Sequence, residues 1–421
     1  MQEALLQFAW KMQLFNAASL VTTEGEPVSI VHRGDPNTHS GPDFLHARIR
    51  IGDTLWVGNI EVHVKSSGWL SHRHHTDRAY DNVILHVVYE HDMPHSEIPT
   101  LALQGRIADD LLQGWQRLMT TASWVPCARH LDKVPPVVVY QLLDRLLAER
   151  LEEKAARIEQ RLHINSMDWE ETTYQWIARG FGTQVNADPF ERVARSLPLK
   201  ILLKHHDQPT QIEALLFGQA GMLEGSFRAV YAHRLKAEYT FLQKKYQLEP
   251  IRSLEWKFLR MRPANFPTVR MSQLAALITA RRKLFSHLLE VYTLKDVQRL
   301  FDVEAGAFWQ EHYHFKKASR KATGHIGADL VQLQVINTFA PLLFLYGRLQ
   351  DDQRYITRAL DLLEQTPPED NAIIRQWASL GVTARHAGHT QALLQLKQQH
   401  CVHKRCLECA IGYRVLQTDG M

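Results

Sequence analysis

Cysteine is scarce in this chain: four thiols in 421 residues cannot build the disulfide framework of a small secreted domain. A dominant charge of one sign is missing too. The net charge of +4 permits a nucleic-acid partner without arguing for one, so any electrostatic case must be local. The opening, MQEALLQFAWKMQLF, has Glu3 where a secretion signal carries basic residues, and Lys11 interrupts an apolar run already too short to span a bilayer. A cytoplasmic protein without a membrane partner is the expectation. No low-complexity segment or disordered linker is evident, which argues for folded structure throughout.

The length exceeds what one hydrophobic core usually serves, so at least two domains are expected. Leu5, Phe8, Ala9, Met12 and Phe15 fall at helical spacing and predict an amphipathic opening helix. The period then changes. VSIVHRG (28–34), HARIRIG (46–52) and TLWVGNIEVHVK (54–65) are strand-like, HTDRAYDN (75–82) reads as a short helix, and VILHVVYE (83–90) has the length of a buried strand. LALQGRI (101–107) adds a candidate edge strand. Past Pro135-Pro136, Leu143, Leu147, Leu151, Ile158 and Leu162 mark one stripe of a long helix, and helical patterns recur to about residue 398. The expected architecture is an α/β domain over 1–120, with a mixed sheet flanked by helices, and an all-α region over 121–421 closed by a cysteine cluster.

Histidine is concentrated near the front: ten of 23 lie between His32 and His95. Within that segment Ser40-Gly41-Pro42-Asp43-Phe44 precedes the second strand, and Glu61, His63 and Lys65 share one face of the third. Such a face is either the wet side of an edge strand or a site. Two carboxylates and a lysine brought together on adjacent strands are suited to phosphodiester hydrolysis. The carboxylates hold Mg²⁺ or Mn²⁺, the ion activates a water, and the lysine offsets charge developing on the phosphate. His72 and His74 follow in SHRHHTD, as a polar loop or as phosphate-contacting groups. His86, inside an apolar run, reads as a hydrogen-bonded core histidine, and Trp56 and Trp69 as packing residues.

This order of elements, with Pro42-Asp43 and then Glu61-x-His63-x-Lys65, resembles the restriction-endonuclease-like PD-(D/E)XK superfamily over roughly the first hundred residues. The resemblance implies a metal-dependent nuclease with Asp43, Glu61, His63 and Lys65 at its centre. There is a departure: the superfamily places its second acid two residues before the lysine, where this chain has His63. Glu61 and Lys65 are therefore about 13 Å apart along a strand, against about 7 Å for the usual spacing. Either His63 serves in the acid's place, or Glu61 reaches the metal and Lys65 does something else. The segment from SGPDF to AYDNVILHVVYE, with the cysteine-rich end, is also similar along the whole chain to a bacterial family known as a domain of unknown function.

At the end of the chain Cys401, Cys406 and Cys409 are spaced C-x₄-C-x₂-C. They can close a zinc site with His400, His403 or the distant Cys127 as fourth ligand, or hold an iron–sulfur cluster. The bland alternative is three thiols without metal. Some nucleases of the resembled superfamily staple their domain with four cysteines around an iron–sulfur cluster, but here Cys127 lies after the nuclease-like strands. Between Arg252 and Lys283, eight basic residues face the single acid Glu255. Arg260, Arg262 and Arg270, interleaved with Trp256, Phe258 and Phe266, make either a nucleic-acid surface or a solvated helix face over a core. Lys316, Lys317, Arg320 and Lys321 form a smaller cluster. Two readings result: a metal-dependent nuclease acting on DNA or RNA, or a non-catalytic scaffold that binds nucleic acid, or a protein through its helical region.

Overall fold

The computed structural model describes residues 1–93, 98–318 and 324–418, so His95, Arg320 and Lys321 lie outside the described residues. It divides into two compact units, Met1–Leu142 with Leu396–Met421, and Leu143–Gln395. The division differs from the expected boundary at residue 120: the cysteine-bearing end of the chain belongs with the sheet, not with the helical region.

In the first unit, α1 (Glu3–Met12) buries Leu5, Leu6, Phe8, Ala9 and Trp10 and ends at Gln13 in the left-handed conformation. A seven-stranded mixed sheet follows. Its strands are β1 (Leu20–Val21), β2 (Pro27–His32), β3 (Asp35–Pro36), β4 (Phe44–Ile51), β5 (Thr54–Lys65), β6 (Val83–Glu90) and β7 (Thr100–Ala102). The order is β1-β2-β4-β5-β6-β7, with β3 on β4. The pairings from β1 to β5 are antiparallel, while β5–β6 and β6–β7 are parallel. The centre is buried on both sides: Ile49, Ile60, Val62, Leu85 and Val87 line one face, and Glu61, His63 and His86 the other; burial on two faces accounts for the near-continuous hydrophobic run of β6.

Parallel neighbours need a crossover, because a tight turn cannot return the chain to the same end of the sheet. Here it consists of α2 (Gly68–Ser71) and two short 3₁₀ turns, His74–Thr76 and Arg78–Tyr80, in place of the expected helix over 75–82. The histidine-rich segment is thus held by its connection to two central strands. Beyond β7, α3 (Asp109–Thr120) and α4 (Pro136–Ile164) open the helical part of the chain.

The second unit is a helical core that departs from the expected all-α character, among the described residues, at a small hairpin of His312–His314 and Lys317–Ala318 and a single β-bridge between Glu304 and His325. Among the described residues one helix, Ala328–Leu349, is long and apolar enough to cross a membrane, and 72% of its most apolar window is buried inside the protein. Phe339, Leu342, Leu343 and Leu345 from it sit in the core of this unit.

Candidate functional site

The site begins where β4 meets β5. Phe44 pairs with Ile60, so Asp43, one residue before the strand, is brought beside Glu61. The SGPDF loop is closed by Asn37, whose Nδ2 donates to the Pro42 carbonyl at 2.9 Å and whose backbone N–H donates to the Asp43 carbonyl at 2.8 Å. The Asp43 N–H donates to Glu61 Oε2 at 3.1 Å, and the Val62 N–H donates to Asp43 Oδ2 at 3.0 Å. Gln7 of α1 completes the clamp, its Nε2 donating to Asp43 Oδ1 at 2.9 Å. A break in the β4–β5 register between Phe44 and Ala47, with His46 at φ 58°, lies next to this junction, a common place for a bulge that aims side chains into a site.

The ionisable face of β5 is not wet. Glu61 is 5% exposed and His63 2%, covered by groups of the crossover. His63 Nε2 lies 3.1 Å from His72 Nδ1, and His63 Nδ1 lies 2.9 Å from His86 Nε2. Glu61 Oε1 is 3.3 Å from His74 Nε2 and 3.6 Å from His63 Nε2. One ring nitrogen from each of His63, His72 and His74 falls within 4.8 Å of the other two. Trp69 walls the cluster, its ring 5.4 Å from that of His74 and 5.5 Å from that of His86. Gly68 is needed for this packing, since a Cβ there would lie 2.8 Å from His63 Cγ.

Burial shapes the protonation. It pushes the Glu61 carboxyl up to about 8, reinforced by the neighbouring Asp43 charge. Asp43 is pushed up to about 6 by burial, against the opposing hydrogen bonds from Val62 and Gln7. The His63 imidazole moves the other way, down to about 3, through burial and then through His72 and His74. His74 is lowered by burial, then by His72. The cluster thus disfavours both carboxylate anions and imidazolium cations. A divalent cation inverts that preference, because it stabilises carboxylates and accepts neutral imidazole lone pairs together. The donor set therefore fits a metal ion.

Asp43, Glu61, His63, His72 and His74 are brought together; Lys65 is not. At the end of β5 its Nζ lies 3.7 Å from Glu90, its cross-strand neighbour, and 3.8 Å from Asp92. It stands four positions along the strand from Glu61, and the acids beyond the site draw it away. Arg270 also departs from expectation. It is 6% exposed and donates to Gln273 Oε1 and Asn265 Oδ1, so it belongs to the interior of the second unit and not to a nucleic-acid surface. Arg260 and Arg262 are exposed, and Trp256 is buried with its Nε1 donating to the Ala220 carbonyl. Trp69 packs as expected, whereas Trp56 is 44% exposed.

Gln7, His86, Gly68 and Trp69 escaped notice as site residues. Gln7 is one polar residue on an amphipathic helix, without a local signal. His86 carried one, an imidazole inside a hydrophobic run opposite Glu61 in the β5–β6 register. Arg48 and Arg50 were also passed over. They alternate outward on β4 and pair across to the exposed Val57 and Leu55 of β5.

The first unit thus defines a class: a mixed-sheet α/β domain with a buried carboxylate–imidazole cluster at the junction of its central strands, in a chain whose larger unit is helical. The chain belongs to the family described as protein of unknown function (DUF2851), whose profile matches residues 3–372. That match stops short of Cys401, so it does not run the full length. No curated protein and no solved structure matches the chain.

Proposed function

We propose that this protein is a metal-dependent phosphodiesterase acting on nucleic acid. The observation that carries the reading is the meeting of ring nitrogens of His63, His72 and His74 within 4.8 Å of one another, with Glu61 Oε1 against His63 and His74 and Asp43 beside Glu61. Asp43, Glu61, His63 and His74 would hold the ion, with His72 at the exposed rim. Mixed oxygen and nitrogen donors suit Mn²⁺ or Zn²⁺ better than the oxygen-seeking Mg²⁺. When bound, such an ion polarises a phosphoryl oxygen and lowers the pKa of a coordinated water.

The residues of the chain supply the rest. Gln7 and the Val62 N–H fix the Asp43 carboxylate. With its proton on Nδ1, His63 donates to His86 Nε2 and keeps its Nε2 lone pair directed at the cluster. Arg48 and Arg50, exposed on β4 on the sheet face that also carries Glu61 and His63, offer phosphate contacts. The order helix, three antiparallel strands, crossover and parallel strand supports a restriction-endonuclease-like ancestry. A reducing cytoplasm is the compartment in which the four cysteines stay out of disulfides.

One observation favours the second reading, a retired nuclease that binds without turnover: the lysine of the familiar motif is committed to Glu90 and Asp92. Cleavage of labelled single- and double-stranded DNA and RNA with Mn²⁺, Zn²⁺ or Mg²⁺ separates the two. Turnover lost in Asp43→Asn and His63→Ala supports the enzyme; equal cleavage by these variants and the parent would refute it. Salt-sensitive binding with no turnover under any metal leaves the scaffold.

A further inference from the structure

The chain has only four cysteines, and none is in a disulfide. Cys127 stands at the start of a 3₁₀ turn, Ala128–Lys133, after α3. Cys401 ends a π-helical turn, Cys406 opens a second 3₁₀ turn, and Cys409 directly precedes the C-terminal helix, Ala410–Thr418. That helix packs against both α3 and the Cys127 turn. The packing closes about 270 residues of chain between the first thiol and the other three.

Several groups hold the C-terminal loop in place. Lys397 Nζ donates to the Trp124 carbonyl at 2.5 Å, and Lys404 Nζ donates to the Met119 carbonyl. Gly412 lets the Cys406 backbone sit directly on the C-terminal helix, where a Cβ would lie 2.2 Å from the Cys406 carbonyl oxygen. Cys127, Cys406 and Cys409 are buried. Cys406 and Cys409 share one turn, the Cys409 N–H donating to the Cys406 carbonyl at 3.3 Å, and that turn packs on the π-helical turn that ends at Cys401. Four thiols from two distant segments, gathered by the packing of the C-terminal helix on the Cys127 turn and largely out of water, are the ligand type that a soft cation takes.

We propose that Cys127, Cys401, Cys406 and Cys409 together hold a thiophilic metal centre, a zinc ion or an iron–sulfur cluster, which staples the C-terminal segment onto the sheet-bearing unit. The proposal stands independently of the phosphodiesterase reading. Four thiolates with either occupant leave a net negative centre; Lys397 and Lys404 of the same C-terminal loop and the N-terminus of the C-terminal helix at Cys409 offset it. The staple bears on the other site through packing. Tyr413 of the C-terminal helix meets Phe8 of α1 edge-on, with ring centroids 5.7 Å apart, and the next residue back, Gln7, holds Asp43. The role is structural, since all four ligand positions are supplied by protein.

The test uses the full chain carrying Asp43→Asn and His63→Ala, so that the carboxylate–imidazole cluster contributes no metal. Zinc, iron and acid-labile sulfide are measured per chain after purification without oxygen. About one zinc, or iron and sulfide in equal amounts with visible charge-transfer absorption, supports the proposal and names the occupant. Cys127→Ser and Cys406→Ser should each remove that metal at least tenfold. If either variant fails to fold, thiol titration of the parent replaces it: chelator treatment should raise the count of reactive thiols from near none to four, and added Zn²⁺, or iron with sulfide, should restore protection. Metal-free protein that refuses both occupants, metal retained by both cysteine variants, or a disulfide among the four overturns it.

Discussion

Glu61→Gln should stabilise the metal-free protein, and increasingly so as pH rises. The Glu61 carboxyl goes from 4.5 in an open chain to about 8 in the fold. Between those values the native state binds more protons than the unfolded chain, so the stability associated with this group is full below about pH 4.5 and is lost as pH rises through about 8. Integrated from pH 5 to pH 8, that loss is about 3 kcal/mol. Glutamine keeps the shape and can still accept the Asp43 N–H, but has no charge to desolvate. The opposite trend from His63, whose depressed pKa costs stability as pH falls below about 6.5, is common to parent and variant and cancels in the comparison. Thermal melting in chelator at several pH values reads the difference. The advantage of the variant should grow by roughly 10 °C in the melting of the first unit across that range. Excess Mn²⁺ should stabilise the parent and not the variant. A difference independent of pH would refute the account of Glu61 as a buried, strained acid.

Metal binding at pH 7 should release about one proton per ion, since Glu61 is largely protonated there and Asp43, at about 6, largely is not; calorimetry in buffers of different ionisation enthalpy would give buffer-independent heats if this is wrong. Lys65→Ala should cost less than about 1 kcal/mol and leave Mn²⁺ affinity unchanged, because its partners are the half-exposed Glu90 and Asp92; a collapse of metal binding would return Lys65 to the site. Arg270→Ala should destabilise the helical unit by about 2 kcal/mol through its orphaned partners without altering the salt dependence of nucleic-acid binding, whereas Arg48→Gln and Arg50→Gln should each flatten that dependence by about one counterion. Gly68→Ala should weaken Mn²⁺ binding by displacing the His63 ring, and calorimetry showing parental affinity would remove that close approach from the argument.

Strand boundaries were legible because a period of two and a Gly-Asp turn are local facts: Thr54–Lys65 and Val83–Glu90 run as the pattern implies. The burial of Glu61 and His63 was not legible. It depends on which segment crosses over them, and a polar stretch such as SHRHHTD looks the same as a loop in water or as a lid. For Lys65 the spacing carried the warning, since a lysine four strand residues beyond an acid cannot reach the same ion without help. Arg270 was misleading for a related reason. Composition counts charges in a window but not the helix face each one takes, and on Pro267–Ala280 nearly every face is interior. The long-range pairing of Cys127 with the C-terminal cysteines had no local signature; only the total of four thiols hinted at it.

The electrostatics of the first site bear on what it is for. A proton relieves Glu61, and neutral tautomers satisfy the imidazoles, with His72 Nδ1–H donating to His63 Nε2 at 3.1 Å and His63 Nδ1–H donating to His86 Nε2 at 2.9 Å. Protonating an imidazole instead pairs it with Glu61 but places a cation where burial has already driven His63 down to about 3. The metal-free cluster is thus satisfied only while Glu61 keeps its proton, a state that costs more as pH rises toward 8. A core selected for stability alone would replace these groups with apolar ones of similar volume, as buried ion pairs often can be. A ligand that neutralises the carboxylates while accepting the neutral imidazoles satisfies both halves at once. The strain in the metal-free cluster is therefore an argument for a bound cation, and removing that strain by Glu61→Gln should gain stability in the same step that it loses the ion.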